Sequence, residues 1–506
     1  MYVNLTIIKN NKLRRLPVFF VASFFIITAC TVGPDFKSPD PPPVKEYNEK
    51  PLPEKTVATT KVHGGAAQTF NWGEKIPAEW WELFHSHELN SLIEQGFKNS
   101  PDLRSAVATL REGEEQLKAL VGETQYPSVG LDVFGGREQL SAFDSLQGTP
   151  GQTLADFPVQ LLSVYNANVN VAYVLDIFGG NRRMIEALKA QVEYQQYTVE
   201  AVYLTLAANI ATTAIMEASL RGQIKATRAI IALQKNLVEL TRKQFKIGTV
   251  TDLDIYAQET ALAQVQAQLP PLETELAQTR HALAVLIGAY PSNADLPHFQ
   301  LTDLHLPTDL PVSVPSTLVK QRPDIRAAEA LLHQATANIG VATANLLPSF
   351  PITASYGANS DTLNNFFNAN NIAWNWQANV LQTVFNGGAL VAERRAAIDA
   401  FEAAFADYHS AVLMGLQNVA DSLIALDMDA HELKETAQAE KLGKQTLDLV
   451  QKQFKLGGAN YLNVLSAEMQ YQQALMSRVI AEAARFADTV ALFQSLGGGW
   501  WNRSHT

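Results

Sequence analysis

Cysteine is almost missing from this sequence. Cys30 is the single one among 506 residues, so no disulfide can form within the chain. Charge is also sparse. Asp, Glu, Lys and Arg make up 18% of the residues, below the roughly 25% of ordinary soluble domains. The net charge of −11 argues against a nucleic-acid partner, which needs a basic surface to meet phosphates. Chemistry-bearing motifs are lacking too. His85 and His87 sit close together, but no third metal ligand follows them. Ser128 and Ser349 come after prolines at strand starts and not in a nucleophile elbow. No glycine-rich phosphate loop occurs, and the seven methionines are scattered, which gives no soft-metal relay. The expectation is a protein with no enzymatic activity, no cofactor and no metal. Beyond residue 30 no apolar run reads as long enough for a transmembrane helix, which takes about 20 residues. Any span of the mature chain is then expected to be a β-barrel, because only helices and closed barrels satisfy their backbone in lipid.

What is present begins with an export signal. Lys9, Lys12, Arg14 and Arg15 precede an apolar stretch from Leu16 to Ile27. The stretch ends in Ile27-Thr28-Ala29-Cys30, the pattern of a bacterial lipobox, where the cysteine is acylated and becomes the mature N-terminus. Thr31 follows it and not Asp, which favours the outer over the inner membrane. Residues 1–29 are read as a lipoprotein signal peptide, and Cys30 as the lipidation site.

Four segments recur in the same order. Pro101-Asp102-Leu103-Arg104 returns as Pro323-Asp324-Ile325-Arg326, and Tyr126-Pro127-Ser128-Val129 as Leu347-Pro348-Ser349-Phe350. Phe178-Gly179-Gly180 returns as Phe385-Asn386-Gly387-Gly388, and Lys243-Gln244-Phe245-Lys246-Ile247-Gly248 as Lys452-Gln453-Phe454-Lys455-Leu456-Gly457. Preserved order through four blocks implies a two-fold internal repeat. It divides the chain into a signal peptide (1–29), an N-terminal arm and equatorial segment (30–100), a first repeat (101–287), a linker (288–322), a second repeat (323–496) and a tail (497–506).

Each repeat is expected to run helix, strand, loop, strand, long helix, tight turn, helix. Residues 102–125 and 324–346 are rich in Ala, Glu, Gln and Leu, and prolines stop both. The period then changes to two. Asn166, Asn168 and Asn170 alternate with Ala167, Val169 and Val171. Trp374, Trp376 and Ala378 alternate with Asn375, Gln377 and Asn379. Val129, Leu131 and Val133, and Ile352, Ala354 and Tyr356, complete four strands with one apolar and one polar face. The polar face is mostly Asn, Gln, Thr and Ser, as a watered lumen requires, with aromatics near strand ends. Four strands cannot close a membrane barrel, so several copies must pool them: two would give a filled bore, three a channel. From Asn181 to Phe245 and from Ala389 to Phe454 there is no proline. Uninterrupted helices of that length run on the order of 90–100 Å. Gly222 marks an expected break.

The chain resembles the outer-membrane efflux proteins of the TolC and OprM type, above all their NodT-like lipoprotein branch. The resemblance rests on Cys30-Thr31-Val32-Gly33-Pro34-Asp35-Phe36, Trp80-Trp81-Glu82-Leu83-Phe84 with Leu89, Gln321-Arg322-Pro323-Asp324-Ile325-Arg326-Ala327-Ala328-Glu329, Leu347-Pro348-Ser349-Phe350, and Leu496-Gly497-Gly498-Gly499-Trp500. It implies an α+β membrane protein: a homotrimer whose 12-stranded transmembrane β-barrel continues as a 12-helix periplasmic α-barrel. It implies a passive exit channel, lipid-anchored in the outer membrane and fed by a periplasmic adaptor (membrane fusion) protein and an inner-membrane pump of the RND type. Drugs or other small molecules are the expected cargo. The alternatives are the channel of a type I protein secretion system, or a structural coiled-coil lipoprotein that conducts nothing. The resemblance puts the gate at the helix turns around Gly248 and Gly457. Asp252, Asp254, Leu462, Asn463 and Ser466 would border the periplasmic aperture. Two of these depart from the family's pattern. Asn463 and Ser466 are neutral where acids are common, leaving Asp252 and Asp254 as the only tip carboxylates. Either aspartate could instead serve only to cap the helix that follows.

Overall fold

The computed structural model describes residues 31–140 and 160–503. Cys30, the signal peptide and most of the first long strand-connecting loop lie outside the described residues. In chain order the main elements are β1 (Thr69–Trp72), α1 (His87–Asn99), α2 (Pro101–Gln125), β2 (Ser128–Leu140), β3 (Gln160–Leu175), α3 (Gly180–Lys246), α4 (Asp252–Leu286), β4 (Asp309–Val312), α5 (Pro315–Gln321), α6 (Pro323–Ala344), β5 (Phe350–Ser360), β6 (Ile372–Ala378), α7 (Ala389–Lys455) and α8 (Tyr461–Ser495). Contacts divide the chain into two compact units.

The first unit takes in residues 31–36, Glu115–Lys189 and His333–Glu402. Its centre is an antiparallel sheet in the order β2-β3-β5-β6. Register decides what each face carries. Val129 lies opposite Val171, Leu131 opposite Val169, and Val169 in turn opposite Tyr356. Tyr356 faces Trp374, and Ala354 faces Trp376. The other face sets Asp132 against Asn168, Ser355 against Asn170, and Asn166 against Asn359. One side is therefore apolar and the other amide-lined, as the alternation predicts. β2 and β6 are the open edges, and both leave bulky apolar groups uncovered: Leu131 is 71% exposed and Trp374 69%. β6 stops at Ala378, sooner than the alternation implied, and only an isolated bridge from Ser349 to Leu381 follows.

The N-terminal arm is locked onto this unit. Val32 N–H donates to Phe178 O (3.0 Å). Arg183 donates to Val32 O (3.1 Å), to Gly33 O (3.3 Å) and to the carboxylates of Asp35 (2.7 Å) and Glu186 (2.8 Å). Glu186 also meets His333 (3.0 Å), whose ring stacks on Phe36. Burial opposes ionisation of Glu186, but the bonds from His333 and Arg183 outweigh it and hold its carboxyl below the usual range. Gly33 is the residue this docking cannot exchange. A Cβ there would lie 2.4 Å from the Cα of Gly340, and φ is +90°.

The second unit holds 37–114, 190–332 and 403–503. Its apolar core gathers Trp80, Phe84, Leu89, Ile210, Leu283, Leu310, Phe486 and Phe493. Trp80 stacks on Phe493 (5.5 Å). Each such side chain contributes about 1.5–3 kcal/mol by leaving water. The Arg-Pro-Asp-Ile motif and the terminal glycine-tryptophan motif meet here. Arg322 grips Asp324 with two bonds (3.0 and 2.7 Å), and Trp500 Nε1 donates to Gln321 O (2.7 Å). Glu217, fully buried, is held between Arg221 (2.8 Å) and Arg280 (2.6 Å). Arg280 also ties the linker through Pro297 O and Leu296 O.

Three expectations are corrected. α3 runs unbroken through Gly222, because a helical glycine costs only about 1 kcal/mol and this one seats Val479 close to the backbone. The strands number six among the described residues: β1 and β4 form a second, parallel sheet. Four residues each, one interrupted by Pro311, are too short for a readable alternation. Stretches of α3 and α7 are apolar enough by composition to cross a membrane. In α3, alanines with Leu206, Ile210 and Ile215 raise the hydropathy, and the core absorbs them.

Arg485 is fully buried and donates to Gly64 O (2.8 Å), Ala66 O (3.0 Å), Thr56 Oγ1 (3.3 Å) and Gln68 Oε1 (2.8 Å). Arg485→Ala strands these acceptors, at a cost of roughly 3 kcal/mol. The variant should melt several degrees lower, and limited proteolysis should cut first between residues 56 and 68.

Candidate functional site

Each long helix ends in the same tight reversal. At the end of α3, Gly248 N–H donates to Phe245 O (2.9 Å) and Thr249 N–H to Gln244 O (3.1 Å). At the end of α7, Gly457 N–H donates to Phe454 O (3.1 Å) and Gly458 N–H to Gln453 O (2.9 Å). Gly248 (φ +78°) and Gly457 (φ +77°) take the left-handed conformation that terminates a helix, which a side chain would strain. Lys243 and Lys246, and Lys452 and Lys455, complement the negative ends of the two helices.

The two following helices start with opposite caps. Before α4, the Asp254 carboxylate reaches back and accepts from Thr251 N–H (2.8 Å) and Thr251 Oγ–H (2.9 Å). Before α8, Asn460 reaches forward and accepts from Asn463 N–H (3.0 Å). Asp254 and Asn463 occupy the same third helical position. An acid serves the first cap, and an amide upstream serves the second, so Asn463 need not carry charge there. Asp252 is exposed at the first position of α4.

The structure brings both turns together. Leu237 of α3, Phe454 of α7, and Tyr461 and Val464 of α8 form one apolar cluster, with Ala257 of α4 packed on it. Leu462 (64% exposed), Asn463 and Ser466 lie on the outward side of α8, away from Tyr461, Val464 and Glu468. Leu462, Ser466 and Met469 form an exposed stripe at helical spacing. Arg242–Glu259 (2.6 Å) and Arg228–Glu273 (2.7 Å) link α3 to α4, exposed pairs of at most about 1 kcal/mol each.

Sequence reasoning missed the polar groups beneath this cluster. Glu468 is only 2% exposed and accepts from Gln234 Nε2 (2.9 Å). Burial pushes its carboxyl up to about 7. Tyr461 is pushed up to about 12 by burial and then by the charges of Glu468 and Asp254. A Glu or Gln in a helix reads as a surface residue, so no local pattern flags either group. Among the described residues no group of three or more His, Cys, Asp or Glu is placed to hold a metal ion, and His85 packs edge-on to His305.

The profile described as "Outer membrane efflux protein" matches residues 92–289 and 314–498. The chain belongs to that family. That family is one of transport proteins of the outer membrane. Family relatives include the pyoverdine export outer membrane protein OpmQ of Pseudomonas aeruginosa, 29% identical over 430 residues (83% of this chain, 87% of the relative). The cation efflux system protein CusC of Escherichia coli is 25% identical over 477 residues (94% and 96%). The outer-membrane channel OprN superposes with a TM-score of 0.82 at 26% identity, covering 93% of this chain and 100% of that one. VceC of Vibrio cholerae shares the fold, with a TM-score of 0.76 at 24% identity over 84% of this chain and 100% of that one.

The two caps make separable predictions. Asp254→Ala should speed amide exchange in the first turn of α4, by about 1 kcal/mol of lost protection, and leave α8 unchanged. Asn460→Ala should do the reverse. Exchange mass spectrometry across residues 249–270 and 458–475 reads both.

Proposed function

We propose that three copies of this chain assemble into the outer-membrane exit channel of a tripartite efflux system. The observation that carries this is the four-stranded sheet, with its apolar face, its amide-lined face and two open edges. β2, β3, β5 and β6 alternate in direction, so β6 runs opposite to β2. The β6 edge of one copy can therefore pair antiparallel with the β2 edge of the next. Three copies close twelve strands with Leu131, Tyr356 and Trp374 toward lipid and Asn166, Asn168 and Asn170 toward water. Closure matters because an unpaired edge in hydrocarbon leaves every second backbone group unsatisfied, at several kcal/mol each.

The helices follow the same symmetry. α3 and α7 both have 67 residues, and α4 and α8 both have 35, which supports an internal duplication. Three copies supply twelve such helices for a periplasmic tunnel. Its narrow end lies at the paired turns. Leu462 rings the aperture, with Asn463, Ser466, Asp252 and Asp254 beside it, and Gly248 and Gly457 form the turns. With Asn463 and Ser466 neutral, Asp252 and Asp254 supply the charge of the rim. Cys30 carries the lipid anchor, directly before the arm that Arg183 holds. A periplasmic adaptor and an inner-membrane pump deliver cargo, and the channel itself consumes no energy. Relatives on this fold are named for pyoverdine export, toluene efflux and cation efflux, which supports a reading in which the pump chooses the cargo.

Two measurements test the reading. The purified protein should migrate on a gel as a trimer that heat converts to a monomer. A monomer that stays soluble without detergent overturns the assembly. Leu462→Ala should raise single-channel conductance severalfold in planar bilayers, and an unchanged conductance would remove Leu462 from the aperture.

A further inference from the structure

Glu468 and Gln234 make an unusual contact. One hydrogen bond joins them, from Gln234 Nε2 to Glu468 Oε2 (2.9 Å). Their other oxygens, Gln234 Oε1 and Glu468 Oε1, are both buried and have no partner. Gln234 and Glu468 are each 2% exposed, so solvent does not serve these oxygens. Gln451 is the one further donor near the carboxylate, and it leaves Gln234 Oε1 bare on a group already joined to Glu468, which calls for one proton. A protonated Glu468 donates its O–H to Gln234 Oε1 and keeps accepting from Nε2, making a closed two-bond pair. An ionised Glu468 leaves Gln234 Oε1 without a donor in a dry core, a costly arrangement.

The surrounding groups offer little compensation: burial is opposed by one amide, Gln451 of α7, which hydrogen-bonds the carboxylate and favours its ionised form. On α3 the facing group is Gln234, and on α7 it is Gln451; both are neutral. On α8 the titratable neighbour is Tyr461. On α4 Asp254, itself negative, acts on Tyr461. No basic side chain pairs with Glu468 among the described residues. The carboxyl lies six residues after Leu462 on the same helix, about 9 Å along the axis. The contact joins α8 to α3, and so the second helix hairpin to the first.

We infer that Glu468 is a proton-linked positioning residue for the aperture: neutral, it seats α8 against α3 through Gln234 and holds Leu462 in the narrow arrangement; ionised, it releases α8. This rests on the aperture reading above. The sign follows from the raised carboxyl. Below the ordinary glutamate value of 4.5, both arrangements are neutral and seating is complete. Between 4.5 and about 7 the released arrangement ionises first, so seating weakens as pH rises. Above about 7 no further change follows. Tenfold per pH unit across that window shifts the balance on the order of a hundredfold.

The test is conductance of the purified trimer in planar bilayers from pH 4.5 to 8. The wild-type channel should open as pH rises, by on the order of tenfold, and level off above about 7. Glu468→Gln keeps both hydrogen bonds without a titratable proton, so it should hold the acid-end conductance throughout. A variant that titrates like wild type overturns the inference. Leu462→Ala, measured at pH 5, separates the two readings. If it leaves conductance unchanged, the aperture reading fails; if it raises conductance while Glu468→Gln still titrates, only the proton linkage fails. Should Glu468→Gln not assemble, wild-type hydrogen exchange decides. Protection over residues 461–468, corrected for intrinsic rate, should fall between pH 5 and 7, and constant protection overturns the role.

Discussion

The pairing of β3 with β5 is the constraint on which the rest of the molecule depends. Each hairpin alone would be a two-stranded ribbon, marginal in water. Backbone pairing from Tyr165↔Ser360 to Leu175↔Phe350 joins two hairpins nearly two hundred residues apart into one sheet. It also sets the faces. With Val169 opposite Tyr356 and Asn170 opposite Ser355, both hairpins turn their apolar residues the same way. A slip of one residue would mix asparagine with valine on each side and destroy the distinction between the apolar and the amide-lined surface.

The helix turns show how the same geometry is reached by different chemistry. Both reversals need a left-handed glycine, and both have one. The caps that follow are not equivalent: an aspartate at the third position serves α4, and an asparagine before the first serves α8. The missing acid at Asn463 is thus a change in who satisfies the backbone. The cluster of Leu237, Phe454, Tyr461 and Val464 then holds the turns together, so a shift in any one of these helices is felt by the others.

Buried charge in this molecule is placed where separate segments must be held. Arg183 gathers the arm's carbonyls, Arg485 gathers the loop from Thr56 to Gln68, and Arg322 spans the start of α6 and the end of α8. Arginine suits the task because its fork serves several acceptors and keeps its proton when dry. Glu468 is held differently. It has the amides of Gln234 and Gln451 for partners in place of a base, and burial raises its carboxyl above the usual range.

Much of this was legible in local pattern. The period of two in Asn166–Val171 named a two-faced strand, the proline-free runs named the long helices, and Gly248 and Gly457 named the turns. Those signals are local because strand alternation, proline and left-handed glycine act within a few residues. Tertiary structure alone decided the rest. It paired four-residue β1 with β4 across the chain, absorbed Gly222 without a break and stopped β6 at Ala378. It brought the Arg-Pro-Asp-Ile motif against the terminal tryptophan, and it turned Gln234 and Glu468 inward. These depend on what lies opposite a residue in space, and a helix carries no mark along its own sequence of which polar side chain will lose its water.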